Sequence, residues 1–248
     1  MSYNPFTLEG KTILITGASS GIGRATAIEC SKLGAHVVIT GRNAERLQET
    51  YDQLEGDGHL SLLADLTNAE SLEQLVVDLP QLDGLVNNAG IGYTKPITFI
   101  KQSDLDAMFA ANTYAPVLLT KILTKKKKIN KGGSIVFTSS IAALVENMGN
   151  SVYSMTKAAI MSFAKSCALE LSEKGICVNS VHPGMVETKL IHDGAISEDD
   201  MQKDMLNYPL KRYGKPEEIA WSIIYLLSDA SAWVTGTQFV IDGGMHLK

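Results

Sequence analysis

The 248-residue sequence predicts an α/β fold: a single-domain, doubly wound parallel sheet with helices on both faces. Three observations carry that prediction. Short β-branched runs alternate with longer helical stretches from end to end. Several of these runs are apolar almost throughout, as parallel strands covered on both faces require. No internal repeat or Gly/Ser-rich linker divides the chain, so one domain covering 1–248 is the economical reading.

In order, seven strands are predicted at 11–16, 35–40, 59–64, 83–87, 134–138, 176–181 and 238–241. Between them run helical segments at 21–33, 44–54, 69–77, 103–125, 152–171 and 216–227. Residues 187–215 lack a strand, are rich in charge and Met, and interrupt the alternation just after Pro183 and Gly184. An insertion of that kind beside a ligand site reads as a lid.

Hydrophobic residues make up 45% and charged residues 20%, enough apolar material for a sizeable core. A net charge of −5 gives no electrostatic basis for a nucleic-acid partner and points to a small-molecule substrate. Cys30, Cys167 and Cys177 are odd in number and lack metal-type spacing, so they read as buried thiols in a reducing compartment, with no metal expected. The first eleven residues lack an apolar signal region, and no apolar run is long enough for a membrane span. A cytoplasmic enzyme is the expectation. Lys125 to Lys128, with Lys131 nearby, reads either as a solvated helix C-terminus or as a docking patch for an acidic partner.

Directly after the first strand comes Thr16-Gly17-Ala18-Ser19-Ser20-Gly21-Ile22-Gly23. Glycines there let the backbone turn tightly and let a pyrophosphate approach a helix N-terminus, whose free N–H groups and dipole favour negative charge. At the end of the second strand, Thr40-Gly41-Arg42 offers a guanidinium and no carboxylate, which favours NADP(H), with NAD(H) possible. Arg42 also reads as a surface residue at the start of the next helix. Asp65 and Leu66 close the third strand, where Asp65 could receive an adenine amino group or belong to the cap of the following helix. Asn87-Asn88-Ala89-Gly90 follows the fourth strand, its small residues letting backbone pass close to a cofactor. Asn87 is expected on the ribose side.

Tyr153 is followed four residues later by Lys157, with Ser140 thirteen residues upstream. A hydroxyl acid, a cation one helical turn away and a second hydroxyl donor together suit hydride transfer to or from a carbonyl. The Tyr-x3-Lys pair alone is common by chance. Lys157, on the same helix face, is expected to lower the Tyr153 pKa.

Taken together, Thr16-Gly-x3-Gly-Ile-Gly23, Asp65, Asn87-Asn-Ala-Gly90, Asn112, Ser140, Tyr153-x3-Lys157, Pro183-Gly184 and Thr188 resemble the short-chain dehydrogenase/reductase family over nearly the whole chain. The resemblance implies a Rossmann-type seven-stranded parallel sheet. It implies that Tyr153 is the general acid in reduction and the base in oxidation. Ser140 would donate to the substrate oxygen, Lys157 would hold the nicotinamide ribose, and Asn112 would order a water linking Lys157 to solvent. It places Met185, Val186 and Thr188 beside the nicotinamide, with Thr188 reaching the carboxamide or capping the lid. Ser20 departs from relatives that carry Arg or Lys there, so the NADP preference rests on Arg42.

Within the family the chain looks most like bacterial 3-oxoacyl-acyl-carrier-protein reductases, through its length, its Asn-Ala-Gly-Ile region and Val240-Ile241-Asp242-Gly243-Gly244. Lys131 and Lys174 are basic where those reductases present charge to the acidic carrier. Tyr93, Leu144, Met148 and Met185 would line an apolar pocket. The alternatives are a dehydrogenase of a sugar, polyol or steroid alcohol and, from another class, a non-catalytic NADP-sensing protein. A homotetramer or homodimer, packed through the C-terminal strand, is expected from the family.

Overall fold

The computed structural model describes residues 3–188 and 197–247. Seven strands, β1 (Thr12–Thr16), β2 (His36–Gly41), β3 (Leu60–Leu63), β4 (Leu82–Asn87), β5 (Ile129–Thr138), β6 (Cys177–Pro183) and β7 (Gln238–Ile241), form one sheet in the order β3-β2-β1-β4-β5-β6-β7. Every pairing is parallel. The order reverses between β1 and β4, and such a reversal opens a crevice at the carboxyl ends of the strands.

Eight α-helices are described: α1 (Gly21–Lys32), α2 (Ala44–Tyr51), α3 (Ala69–Asp78), α4 (Gln102–Phe109), α5 (Ala115–Lys125), α6 (Ser151–Leu171), α7 (Glu198–Met205) and α8 (Pro216–Leu227). Successive strand residues point to opposite faces, which makes two cores. Leu14 joins Leu75 of α3, Leu119 of α5 and Ile160 of α6 on one face. Ile13 and Ile15 join Cys30 of α1, Leu47 of α2 and Ile223 of α8 on the other. Each such side chain, fully withdrawn from water, contributes about 1.5–3 kcal/mol, which is why the strands read as continuous apolar runs.

The sequence predicts one helix over 103–125, and here the structure differs. Residues Ala110–Tyr114 form a π-helical segment between α4 and α5. The cause is Pro116, four residues beyond Asn112. Proline has no N–H to donate to the Asn112 carbonyl, and its ring crowds that carbonyl in a regular α-helix. The strand predicted at 134–138 also begins earlier, at Ile129, with a register irregularity against β4 between Leu82 and Gly84.

The segment expected to be a lid carries α7, and its two ends are stitched together at the base. Val186 and Gly214 form an isolated parallel bridge; Glu187 N donates to Gly214 O (2.8 Å) and Gly214 N to Met185 O (3.0 Å). Met201, Tyr208 and Tyr213 are buried together there, with Met185, Met205 and Met245 packed on them. Residues 189–196 of that segment lie outside the described residues.

Among the described residues, no helix is long and apolar enough to cross a membrane. Nor does any group of three His, Cys, Asp or Glu side chains among them suit a metal. The three cysteines are free: Cys30 and Cys167 are buried, and Cys177 is half-buried. In the lysine run, Lys126 pairs with Glu73 of α3 (2.8 Å) and Lys128 donates to the carbonyl of Leu79, the α3 C-cap.

Candidate active site

The turn after β1 is shaped by glycines that admit no side chain. A Cβ at Gly17, where φ is +66°, would lie 2.8 Å from the Ala89 Cα, and one at Gly23 would strike the Gly17 carbonyl. Ser20, the N-cap of α1, makes no side-chain cap bond, and no acidic residue stands in the first turn. The N-terminal N–H groups of α1 therefore face the crevice without a side-chain acceptor from the cap, a geometry suited to an anion. A dinucleotide pyrophosphate fits that cradle.

Arg24 ties this turn to α2. Its guanidinium donates to Ser19 O (2.8 Å), Arg46 O (3.1 Å), Glu49 (2.8 Å) and Thr50 Oγ1 (3.0 Å). The sequence reading missed this residue, although a cation in the first turn opposes the helix dipole and so calls for such a reason.

Asn43, not Arg42, caps α2, accepting from Arg46 N at 2.8 Å. Arg42 stands exposed just before it and forms no ion pair among the described residues. The Asp65 carboxyl is held below its usual range by the Thr67 hydroxyl and N–H, with a smaller pull from Arg42. The α3 N-cap is Asn68, which accepts from Ser71 N at 2.9 Å, and Asp65 N donates to Ser71 Oγ at 2.9 Å, so Asp65 belongs to the loop that builds the cap region. Leu66 is buried in the core under this loop.

Asn88 ties β4 to β1, its amide donating to Thr16 O at 3.1 Å. Thr16 Oγ1 accepts from Asn88 N (2.9 Å) and Ala89 N (3.0 Å). Asn87, expected on the ribose side, is buried, and its amide donates to Thr120 of α5 at 3.1 Å. Alternation along the strand turns the two asparagines to opposite faces.

At the carboxyl end of β5 the predicted catalytic residues come together. Ser140 caps a 3₁₀ turn (Ile141–Ala143), its Oγ accepting from Ala142 N at 3.1 Å. Its side chain lies against the hydroxyl of Tyr153, in the first turn of α6. Burial pushes the Tyr153 phenol up and the Ser140 hydroxyl pulls it back down. The expected lowering by Lys157 is not seen: the Tyr153 phenol is raised on balance, and the ammonium is turned to the Thr138 carbonyl at 2.8 Å. It lies 5.6 Å from the Tyr153 ring centroid. Burial lowers the Lys157 pKa to about 8.

Gly90 closes the cluster, since a Cβ there would lie 3.0 Å from Asn112 Oδ1 and 3.6 Å from Lys157 Nζ. The Asn112 amide is fully engaged. It accepts from Ile91 N (2.8 Å) and donates to Ile91 O (2.8 Å) and Thr156 Oγ1 (3.2 Å). Its remaining polar group is the main-chain carbonyl that Pro116 cannot bond.

At the end of β6, Pro183 pairs with Ile241, and Gly184 just beyond backs onto Asp242, which a Cβ there would meet at 2.9 Å. Val186 is buried in the core, and Thr188 lies against Gly21, a Cβ on which would be 3.1 Å from Thr188 Cγ2. Thr188 thus borders the α1 N-terminus. Tyr93 donates to Asp104 O (2.6 Å), while Leu144 and Met148 are exposed.

Lys131 and Lys174 are neighbours, since Gly132 and Gly175 beside them touch, but they sit at the amino ends of β5 and β6. That is the edge of the sheet opposite Ser140. A carrier docked on them would approach from the amino ends of the strands.

An anion cradle at a strand-order reversal, next to a hydroxyl and ammonium cluster, defines an NAD(P)-dependent oxidoreductase. Residues 17–246 match the family model described as Enoyl-(Acyl carrier protein) reductase. The 3-oxoacyl-(acyl-carrier-protein) reductase FabG of Rickettsia bellii is 37% identical over 96% of this chain and 98% of its own. Dehydrogenase/reductase SDR family member 6 of Rattus norvegicus is 36% identical over 97% and 99%. The crystal structure of a short-chain type dehydrogenase/reductase from Mycobacterium marinum superposes with a TM-score of 0.89 at 30% identity, covering 98% of each chain. The chain belongs to the short-chain dehydrogenase/reductase family.

Proposed function

We propose that the protein is an NADP(H)-dependent reductase that converts a 3-oxoacyl thioester to the 3-hydroxy product. The observation that carries this reading is the meeting of the Ser140 and Tyr153 side chains above the buried Lys157 ammonium. Paired hydroxyl donors fit an oxygen acceptor, which a 3-oxo group offers.

When bound, the nicotinamide supplies hydride to the carbonyl carbon. Ser140 donates a hydrogen bond to the carbonyl oxygen, and Tyr153 transfers its proton to that oxygen as the bond to carbon is reduced. The nearby Lys157 charge stabilises the tyrosinate left behind. With its pKa at about 8, Lys157 is poised to pass a proton back to Tyr153 near neutral pH. Its own resupply runs past Asn112, whose main-chain carbonyl is the group left to hold a water. The turn at Gly17, Ser19, Ser20, Gly21, Ile22 and Gly23 would hold the pyrophosphate, and Arg42 the 2′-phosphate. Asp65 and Leu66 would border the adenine; Asn88, Ala89 and Gly90 would border the ribose. Pro183, Gly184, Val186 and Thr188 would flank the nicotinamide, with residues 187–215 as lid.

A second copy is proposed against the edge strand β7, where Phe239 is partly exposed and Trp233 is 99% exposed. A dimer or tetramer would also give Lys131 and Lys174 a partner's site to serve. Their distance from Ser140 favours, as a second reading, a dehydrogenase of a free sugar, polyol or steroid alcohol. A panel of 3-oxoacyl thioesters, free and carrier-bound, with ketones and alcohols, followed by NADPH and NADH absorbance, decides between them. Turnover of 3-oxoacyl thioesters with NADPH is expected; turnover of alcohols alone would replace the first reading.

A further inference from the structure

His182 lies on β6 and is completely buried. Its Nδ1 is 3.1 Å from the Ser140 carbonyl and its Nε2 2.9 Å from Ser180 Oγ. A carbonyl can only accept, so Nδ1 carries the proton and Nε2 presents its lone pair. Ser180 can supply the matching hydrogen: the Thr237 carbonyl, its other neighbour, is farther at 3.3 Å and already accepts from Ser180 N at 3.0 Å. Burial, together with the charges of Lys157 and Lys165, outweighs the pull of the Ser140 carbonyl and keeps the ring neutral.

The contacts around Ser140 give this ring a purpose. Ser139 N donates to Val181 O (2.8 Å), Ser139 Oγ to Lys157 O (3.0 Å), and Ala142 N to Ser140 Oγ (3.1 Å). The Ser140 carbonyl accepts from Ala143 N (3.0 Å) within the 3₁₀ turn, and His182 takes its second lone pair as the one side chain donating to it among the described residues. With every other group fixed, the Ser140 hydroxyl hydrogen is left to the Tyr153 side. We infer that His182, oriented by Ser180, is a positioning residue that sets the direction of the Ser140 hydroxyl. This inference rests on the function proposed above, in which Ser140 meets the substrate oxygen.

Asparagine places its amide nitrogen where Nδ1 stands, whereas glutamine comes closer to the ring in volume but places its nitrogen nearer to Nε2. Steady-state kinetics on the best 3-oxoacyl thioester, with NADPH affinity measured by fluorescence, should therefore separate the two. His182→Gln is expected to lower kcat about 10- to 100-fold with NADPH affinity unchanged, as a misdirected donor does. His182→Asn should stay within about threefold of wild type, because its donor is in place. In a Ser140→Ala background, His182→Gln should cost nothing further, the non-additivity expected when one residue acts through another. Equal impairment of the Asn and Gln variants, or an undiminished Gln effect without Ser140, would overturn the inference and leave only packing. If Ser140→Ala itself turns over like wild type, the proposed function falls first. Should His182→Gln fail to fold, Ser180→Ala frees the ring proton to move to Nε2. A several-fold loss of kcat with intact NADPH binding then supports the inference, and an unchanged kcat overturns it.

Discussion

The buried ammonium of Lys157 donates to the Thr138 carbonyl across 2.8 Å, so the strand that leads to Ser140 and the helix that carries Tyr153 are joined through a charge. Burial holds its pKa at about 8, against an ordinary 10.5. Between those values the unfolded chain still binds a proton that the folded chain has released, so folding becomes more favourable as pH rises. Below about 8 the folded state carries the full cost of the buried charge. Lys157→Met has no such titration. Urea denaturation of both proteins should show the difference moving toward wild type by about 2–3 kcal/mol between about pH 8 and 10.5. A pH-independent difference would mean that the ammonium is not taken from water.

Tyr153→Phe removes one oxygen and keeps the ring beside Lys157. Turnover should fall by about 10²- to 10⁴-fold, the usual worth of a general acid, while NADPH binding measured by fluorescence changes little. Undiminished turnover would remove Tyr153 from the mechanism.

Arg42 is exposed and has no ion-pair partner among the described residues to compete with a phosphate. Arg42→Ala should weaken NADPH by about tenfold to a hundredfold, the range of a charge-assisted hydrogen bond, and leave NADH nearly unaffected. Equal losses for both cofactors by titration would return Arg42 to an ordinary surface role.

Pro116→Ala supplies the N–H that the Asn112 carbonyl lacks. The helix should gain up to about 1 kcal/mol, seen as a raised Tm, and kcat should fall several-fold as the carbonyl is withdrawn from the proton path. Higher stability with unchanged turnover would show that the proton returns another way.

Lys131→Glu combined with Lys174→Glu reverses charge far from Ser140 in its own chain. If a carrier docks there, KM for carrier-bound substrate should rise at least about tenfold, because like charges then face each other across the interface, while the free thioester is turned over as before. No difference between the two substrates would remove these lysines from docking.

The strands were legible because burial on both faces leaves an unbroken apolar run, and Leu14 between Ile13 and Ile15 already serves both cores. The extension of β5 over 129–133 was not, because Asn130-Lys131-Gly132-Gly133 has the composition of a turn. The break at 110–114 had its signal in Pro116, which a 3.6-residue pattern passes over. The order of Ser140, Tyr153 and Lys157 was readable from spacing on single elements. His182 was not, since it meets Ser140 only through the register that pairs Thr138 with Val181. Asn87 and Asn88 look alike in a sequence, and only the strand's alternation sends one to Thr120 and the other to Thr16.

The Thr16 hydroxyl, which gathers the N–H groups of Asn88 and Ala89, marks the joint between two halves of the chain laid down in opposite directions from β1. A dinucleotide seated across that joint, as proposed, would touch both halves, so its binding energy would also be cohesion. At a hundred times its dissociation constant it adds about 2.7 kcal/mol to folding stability. The stability of the folded chain would then rise and fall with the supply of its own cofactor.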